Sequence, residues 1–288
     1  MTRSRATGIG FIAVILWSFL ALLTVGSAPI PPLLLNAICF SIGGTLGLIW
    51  NSANGGLGQL RNVPMRIYVF GTLGLFGYHA LYFSALRMAP AAEAGLIAYL
   101  WPLLIVVFSG LLPGEKLRPG HLIGAALGFA GAATIITGGS GGFQAQYFPG
   151  YALAILCALV WSGYSVLSRR IGDAPTSTVS VFCLATAILS AALHLLLEDT
   201  VWPSSTTGWL STIGLGLGPV GMAFYLWDIG VKRGDIQMLG TSSYAAPLLS
   251  TLILVIAGIA EPTWSLALAA VLITGGALVA LRASLRNT

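Results

Sequence analysis

The chain has 288 residues, with 13 Lys and Arg against 8 Asp and Glu, and its formal net charge is +5. Charged residues make up 7% and hydrophobic residues 57% of the chain, whereas soluble domains carry about 25% charged residues. Too few polar side chains remain to cover a water-exposed surface, so a soluble enzyme is excluded. Intrinsic disorder is excluded as well, because it requires few apolar and many charged residues. The composition is that of a polytopic membrane protein.

Ten apolar runs are each long enough to span a bilayer, which takes about 20 mostly apolar residues. The predicted spans are 8–25, 31–50, 66–87, 91–112, 119–138, 149–169, 176–197, 207–231, 236–258 and 262–283. The longest connection runs from Asn51 to Pro64, and the Gly138–Gly142 cluster is interpreted as a flexible link between two halves. The basic residues before the first run also fit a signal peptide, but the run is longer than a usual signal core. We expect the first helix to be retained. The predicted fold class is an all-α membrane protein with ten transmembrane helices.

The positive charges predict the orientation in the membrane. With the N-terminus in the cytoplasm, every Lys and Arg except Arg87 falls on the cytoplasmic side, whereas Glu198, Asp199 and Glu261 fall in outer loops. Lys and Arg accumulate in cytoplasmic loops of membrane proteins. Both termini are therefore predicted to be cytoplasmic. The net charge reflects these loops and indicates no nucleic-acid partner, while the lipid bilayer is an expected partner.

The two halves of the chain resemble each other at an offset of about 145 residues, a repeat that predicts duplicated architecture. The matching segments are 16–18 with 160–162, 82–87 with 227–232, and 101–103 with 246–248, and Glu115 and Glu261 follow at similar spacing. Each half has five spans, an odd number, so the second copy would enter the membrane from the opposite side. We predict two inverted five-helix repeats, 1–140 and 141–288, within one membrane domain. Transporters of this architecture bind substrate between the halves near mid-membrane; duplication for stability alone is the alternative.

Several motifs carry a family resemblance. The chain resembles the EamA-type branch of the drug/metabolite transporter superfamily. The resemblance rests on the ten helices in a 5+5 repeat, on the pairs Trp17-Ser18 and Trp161-Ser162, and on Gly114-Glu115-Lys116 after helix 4. Within this branch the chain is similar to aromatic amino-acid exporters of the YddG type, on the basis of Tyr78-His79 and of residues 99–102 (Tyr-Leu-Trp-Pro). The resemblance covers essentially the whole chain. It implies a bacterial inner-membrane exporter of small metabolites that works by alternating access, with helices 1, 3, 4, 6, 8 and 9 around the cavity and helices 5 and 10 peripheral.

Aromatic residues inside the spans are the candidates for substrate binding. Once the aromatic residues near span ends are assigned to the interfacial belt, all remaining Trp and Tyr lie in spans 1, 3, 4, 6, 8 and 9. At mid-depth their OH and NH groups need hydrogen-bonding partners, which a shared water-filled cavity supplies. The alternative is that these rings only fill space between helices. His79 is a candidate because an ionisable group near mid-membrane is costly and often functional. Ser243 is one of the hydroxyls that could meet a substrate carboxylate at a helix break. The predicted substrate-binding residues are Trp17, Tyr78, His79, Tyr82, Tyr99, Trp101, Trp161, Tyr164, Tyr225, Trp227, Ser243 and Tyr244.

Three prolines are predicted hinges. Pro102, Pro219 and Pro247 lie deep in spans 4, 8 and 9, where each removes a backbone hydrogen bond and bends its helix. Static kinks without gating are the alternative. The small residues of the Gly124–Gly128 run allow close helix contact, which we expect inside a monomer, with a dimer as the alternative.

The absences narrow the expected function. No Lys or Arg lies near mid-membrane, so a phosphorylated solute would lack a counter-charge. A zwitterionic amino acid fits if hydroxyls or backbone N–H groups at a helix break bind its carboxylate. The lack of a carboxylate array argues against cation pumping, so we expect uniporter-like export of aromatic or neutral amino acids and similar small metabolites; proton coupling through His79 is the alternative. The alternatives are export of nucleosides, purines or drugs by proton antiport, or a non-transporting membrane enzyme or scaffold. No H-E-x-x-H pair, Asp-rich cluster or nucleophile–base pair is present, and the three cysteines lack metal-ligand spacing. We therefore predict that the protein is not an enzyme and that it has no cofactor and no metal site.

Overall fold

The computed structural model describes residues 1–138, 143–171 and 174–285. In these ranges all regular structure is helical, and ten helices are long and apolar enough to cross a membrane. We number them α1 to α10 in chain order: Arg3–Gly26, Pro32–Ala53, Met65–Met88, Ala91–Ser109, Pro119–Ile136, Ala145–Arg170, Thr178–Leu197, Thr206–Arg233, Ile236–Ile256 and Trp264–Leu285. Each helix overlaps its predicted span, which confirms the all-α fold with ten spans. Residues 139–142 of the predicted link, with the predicted boundary between the halves, lie outside the described residues.

The connection between α2 and α3 differs from the prediction. We expected a long loop from Asn51 to Pro64, but α2 continues to Ala53 and a short helix, Leu57–Arg61, occupies part of the remainder. The Asn-Gly-Gly turn signal is real but lies at the end of α2, where Gly55 has a φ of 69°. Glycine adopts that left-handed conformation without steric conflict, so the helix can end there.

Three helices are interrupted at the predicted hinge prolines. The helical hydrogen bonding of α4 breaks at Tyr99 and Leu100, shortly before Pro102, and that of α9 breaks at Ser243 and Tyr244, three to four residues before Pro247. Because proline lacks an N–H and its ring collides with the preceding turn, a regular helix cannot continue through these positions. In α8, Pro219 lies within a π-helical turn, Gly218–Met222. Gating at these interruptions stays a prediction.

The helices pack in pairs that join one half of the chain to the other. α5 lies along α10, α2 along α7, α3 along α6, and α1 along α8. Glycines permit the closest approaches: Gly124 of α5 lies against the backbone of Gly276, and Gly10 of α1 against that of Gly230. A Cβ at any of these four positions would come within 2.9 Å of backbone atoms of the facing helix. The small-residue run of α5 therefore serves packing within the chain, as expected.

Candidate functional site

Four tryptophans meet at the centre of the bundle. The Trp17 ring of α1 lies 6.1 Å from that of Trp101, 6.0 Å from that of Trp161 and 5.1 Å from that of Trp227, measured between ring centres. The contacts with Trp101 and Trp161 are edge-to-face, an arrangement that the ring quadrupoles favour. Two of the four indoles come from each half of the chain. The predicted site residues Trp17, Trp101, Trp161 and Trp227 are thus brought together where the halves meet.

Hydrogen bonds hold two of these indoles in place. Trp17 Nε1 donates to the carbonyl oxygen of Pro219 at 3.0 Å, and Trp227 Nε1 donates to Ser165 Oγ at 3.1 Å. Pro219 stands in the π-helical turn of α8, where the intrahelical bonding register shifts. Trp101, Trp161 and Trp227 are only 5%, 3% and 1% exposed. Together the four indoles form a rigid floor.

Half-buried side chains surround this floor on one side. Tyr78 lies 5.3 Å from Trp161 and stacks on Tyr82 at 6.0 Å, while Tyr99 lies 6.4 Å from Trp101. Tyr82 is one helical turn beyond Tyr78 on α3, which runs toward the predicted outer end. We call the four indoles with Tyr78, His79, Tyr82 and Tyr99 the aromatic cup. The cup opens toward the predicted outer end of the bundle.

His79 contributes an acceptor nitrogen to the cup. Its Nδ1 lies 2.7 Å from the carbonyl oxygen of Leu75, one turn earlier on α3. A carbonyl only accepts, so Nδ1 carries the proton and Nε2 is an acceptor. In the described part of the chain no side chain or backbone group bonds to Nε2. The ring is held edge-on against Phe40 at 5.0 Å, so its direction is defined by packing.

Two phenylalanines complete the cup, and the sequence analysis missed both. Phe224 of α8 lies 5.7 Å from Trp161 and stacks on Phe40 of α2 at 5.4 Å. Neither ring carries a polar atom, and only rings with a polar atom need hydrogen-bonding partners at mid-depth. Phe224 is three residues before Trp227 and shares its helix face, a spacing that could have identified it. Phe40 gave no comparable signal, since α2 was not expected at the cavity.

Tyr164 and Tyr225, both predicted for the site, lie outside the cup. Tyr164 is on the predicted cytoplasmic side of the floor, where it packs between Trp161 and Phe70 at 5.4 and 5.5 Å. Tyr225 points away, and its hydroxyl donates to the carbonyl oxygen of Gly43 at 3.0 Å. Tyr225 thereby joins α8 to α2.

Ser243 and Tyr244 also lie outside the cup, at the break in α9. Ser243 Oγ donates to the Leu239 carbonyl oxygen at 2.7 Å, so its hydroxyl is used within its own helix. The fully buried Tyr244 hydroxyl accepts a hydrogen bond from the Leu103 N–H at 3.1 Å. That N–H is left free by the break in α4, so Tyr244 joins the two interrupted helices.

An ion-pair network around the buried carboxylate of Glu115 lies at the predicted cytoplasmic end. Glu115, only 5% exposed, accepts from Arg3 at 3.0 Å and from Arg169, while Arg3 also lies 3.6 Å from Asp235. We call these four residues the inner ionic cluster. Gly114 precedes Glu115 with a φ of 80°, a left-handed turn that glycine allows and that directs the carboxylate into the bundle. The cluster joins residues of both halves.

A second carboxylate organises the predicted outer end. Glu198, at the end of α7, accepts from Arg87 at 2.9 Å and from the Leu33 N–H at 3.1 Å, and lies 3.0 Å from His194 Nδ1. It thereby holds α7 to α3 and to the first turn of α2. Elsewhere Asp228 pairs with Lys232 at 2.8 Å, which confirms the structural pair that their one-turn spacing predicts.

The two ends differ in closure. The first part of α4, Ala91–Ala98, has only Ala94, Gly95 and Ala98 buried, whereas in the first part of α9, Ile236–Ser242, every residue except Met238 is buried. These segments occupy corresponding positions in the two halves. The described residues therefore form an arrangement open at the predicted outer end and closed at the predicted cytoplasmic end.

A separate groove of about 1090 Å³ lies between α1, α9 and α10. Its lining is mainly apolar, with Phe11, Leu239 and Leu248 among the contributors, and none of the predicted substrate-binding residues reaches it. α1 exposes Ile12 and Ile15 beside it. The groove is therefore separate from the cup, and it extends to Arg3 and Asp235 near the predicted cytoplasmic end.

The chain matches known proteins over nearly its whole length. The EamA-like transporter family matches residues 5–137 and residues 148–282. The chain belongs to the EamA-like transporter family. Among EamA relatives, the aromatic amino acid exporter YddG of Ancylobacter novellus is 56% identical over 283 residues, covering 97% of this chain and 98% of that protein. The protein of the same name in Escherichia coli is 26% identical and is matched over 100% of both chains. A solved crystal structure with 55% identity covers 97% of this chain and 98% of its own, with a TM-score of 0.92.

Membership of the EamA-like family confirms several predictions. The protein is a multi-pass inner-membrane transporter of a small molecule, and it is not an enzyme. The ten spans and two matched halves agree with the predicted EamA-type architecture.

Proposed function

We propose that this transporter exports aromatic amino acids, and related neutral ones, through the aromatic cup. The observation that carries the proposal is a rigid floor of four indoles beneath half-buried Tyr and His side chains. Apolar pockets with a few placed polar groups are typical of small-molecule sites, and a flat ring fits between aromatic walls. The similarity to relatives named aromatic amino acid exporter supports this substrate class.

The polar groups of the cup suit a zwitterion. The hydroxyls of Tyr78, Tyr82 and Tyr99 can donate to a carboxylate, and His79 Nε2 can accept from an ammonium group. The faces of the indoles attract the same cation. No member of the cup carries a fixed charge, so a dianionic or phosphorylated solute would be desolvated without a counter-ion.

Alternating access supplies the transport mechanism. We infer that the halves are inverted repeats with both termini in the cytoplasm, in which case the described arrangement is outward-open. Substrate would leave the cup for the outside in this state. It would enter after the inner ionic cluster separates. Because the cup holds no carboxylate that could bind a coupling cation, we propose a uniporter that works down the amino-acid gradient. We also propose that it acts as a monomer.

Counterflow tests the proposal. The purified protein is placed in liposomes loaded with unlabelled phenylalanine or tryptophan, and entry of the labelled amino acid is followed with and without a pH gradient. We expect counterflow that is independent of the gradient and is lost in the double variant His79→Ala/Trp101→Ala. Trp264→Ala, which truncates a ring that is 91% exposed, serves as the matched control and should transport normally.

Two results would contradict the proposal. If the wild type carries nucleosides or purines but neither amino acid, the cup serves a different flat solute. If counterflow persists in the double variant, the transport site lies elsewhere. A requirement for a pH gradient would replace the uniporter by proton coupling.

A further inference from the structure

Two polar side chains in the first part of α9 are buried without a hydrogen-bonding partner among the residues that the structure describes. Gln237 is fully buried with neither Oε1 nor Nε2 bonded, and Thr241 is 1% exposed with its Oγ1 unbonded. Burying such groups is unfavourable unless a partner replaces the lost water. The two residues stand one helical turn apart on the same face, and Tyr244 follows three residues later on that face. We call Gln237, Thr241 and Tyr244 the α9 stripe.

The repeat identifies the counterparts of this stripe on α4. Pro102 aligns with Pro247, Gly95 with Gly240, and the first residues of the two helices align in the same register. In this register Gln237, Thr241 and Tyr244 correspond to Ala92, Leu96 and Tyr99. We call this second set the α4 stripe.

The two stripes have opposite surroundings in this structure. All three residues of the α4 stripe are half-buried, and its Tyr99 lines the cup on the side of the outer opening. All three residues of the α9 stripe are buried in the closed half of the bundle. There Tyr244 packs on Gly128 of α5 and accepts the hydrogen bond from the Leu103 N–H. In alternating access the two repeats move against each other, and an exchange of their conformations would give each stripe the surroundings of the other.

We propose that the α9 stripe lines a cytoplasmic vestibule in the inward-open state, and that Gln237 and Thr241 there bind the ammonium and carboxylate groups of the incoming amino acid. The ligand class rests on the proposed function, whereas the vestibule rests on the repeat. A glutamine amide both donates and accepts, and a threonine hydroxyl does the same, which matches a zwitterion. Ala92 and Leu96 offer no polar group on the outer side.

The same exchange assigns a part to the two tyrosines. Opening the cytoplasmic side breaks the bond between the Tyr244 hydroxyl and the Leu103 N–H. Closing the outer side brings Tyr99 to the corresponding position on α9, where the Leu248 N–H is the counterpart of the Leu103 N–H. One interhelical bond between α4 and α9 is thus exchanged for the other.

Cysteine labelling tests the vestibule without using substrate. Thr241→Cys and Leu96→Cys are made in a chain whose three native cysteines are replaced by Ala, and a membrane-impermeant maleimide is applied to inside-out and right-side-out vesicles. We expect Thr241→Cys to react in inside-out vesicles only and Leu96→Cys in right-side-out vesicles only. Thr186→Cys on α7 is the control, because Thr186 is also fully buried with an unbonded hydroxyl but is not in the stripe. If Thr241→Cys is as unreactive as Thr186→Cys, the vestibule is refuted.

Side-specific kinetics test the polar contacts. Gln237→Leu and Thr241→Val keep the approximate shape and remove the polar atoms. The KM for phenylalanine in inside-out vesicles should rise about tenfold, as expected for losing a hydrogen bond to a charged group. The KM in right-side-out vesicles should not change, and Thr186→Val should change neither value. An equal change on both sides, or none, would overturn the binding role. If the wild type carries no phenylalanine, the proposed function fails, while Thr241→Cys labelling still decides the vestibule.

Discussion

Removing the charge of Glu115 should open the predicted cytoplasmic end of the transporter. Glu115 is the centre of the inner ionic cluster, because it accepts hydrogen bonds from both Arg3 and Arg169. These arginines belong to opposite halves of the chain, so the carboxylate holds the halves together in the closed arrangement. Glu115→Gln keeps the side-chain shape and removes only the negative charge.

The size of the effect follows from the burial of each partner. The Arg3 side chain is 48% exposed, so its ion pair contributes at most about 1 kcal/mol. The Arg169 side chain is 19% exposed, and breaking a buried pair costs about 3–5 kcal/mol. Arg169 keeps its bonds to the carbonyl oxygens of Gly234 and Val231, and the glutamine amide still accepts one hydrogen bond, so the loss is smaller. We expect about 2 kcal/mol, which is a roughly 30-fold shift toward the inward-open state.

Double electron–electron resonance measures this shift. Spin labels are placed at Lys116 and Arg233, two exposed positions on opposite halves at the predicted cytoplasmic end, in a chain without its native cysteines. Glu115→Gln should add or enlarge a population at longer distance. A folded variant with an unchanged distance distribution would refute the reasoning. Glu198→Gln is the matched control, because it removes a buried carboxylate at the outer end and should leave this distance unchanged.

Three further substitutions have expected outcomes. Trp101→Ala should raise the KM for phenylalanine at least tenfold, because it removes part of the cup floor, whereas Trp50→Ala, which truncates a ring that is 71% exposed, should leave counterflow unchanged. Tyr225→Phe should lower the melting temperature by a few degrees without changing the KM, since the lost bond to the Gly43 carbonyl, of about 1 kcal/mol, lies outside the cup. Pro102→Ala restores an N–H at the break of α4 and should slow counterflow several-fold, because the helix straightens. If transport and cysteine accessibility along α4 are both unchanged, Pro102 is not a hinge.

Local conditions explain why the helices could be predicted from sequence. A spanning helix needs about 20 apolar residues and satisfies its own backbone hydrogen bonds, so each run identifies its helix without reference to the others. The interruptions of α4 and α9 are local in the same sense, because Pro102 and Pro247 disturb the turn before them. The missed helix between α2 and α3 lies in the Asn51–Pro64 connection, where no apolar periodicity indicated it.

The rotation of each helix about its axis was decided by tertiary packing. Phe224, Tyr225 and Trp227 are nearly consecutive, yet Phe224 and Trp227 reach the cup while Tyr225 faces α2. Neighbours on a helix point about 100° apart, so counting aromatic residues per span selects the right helices but not the right faces. Phe40 entered the cup because α2 packs beside α7 and α8, a contact between distant segments.

The sequence by itself determined the membrane class, the ten spans, the repeat and the tryptophans of the floor, because apolar length and matched motifs are properties of single segments. Only the tertiary structure decided which end of the bundle is closed. That closure depends on Arg3, Glu115, Arg169 and Asp235 meeting across four separate segments. The same packing buries Gln237 and Tyr244 away from the cup, because it depends on which distant segments of the chain meet.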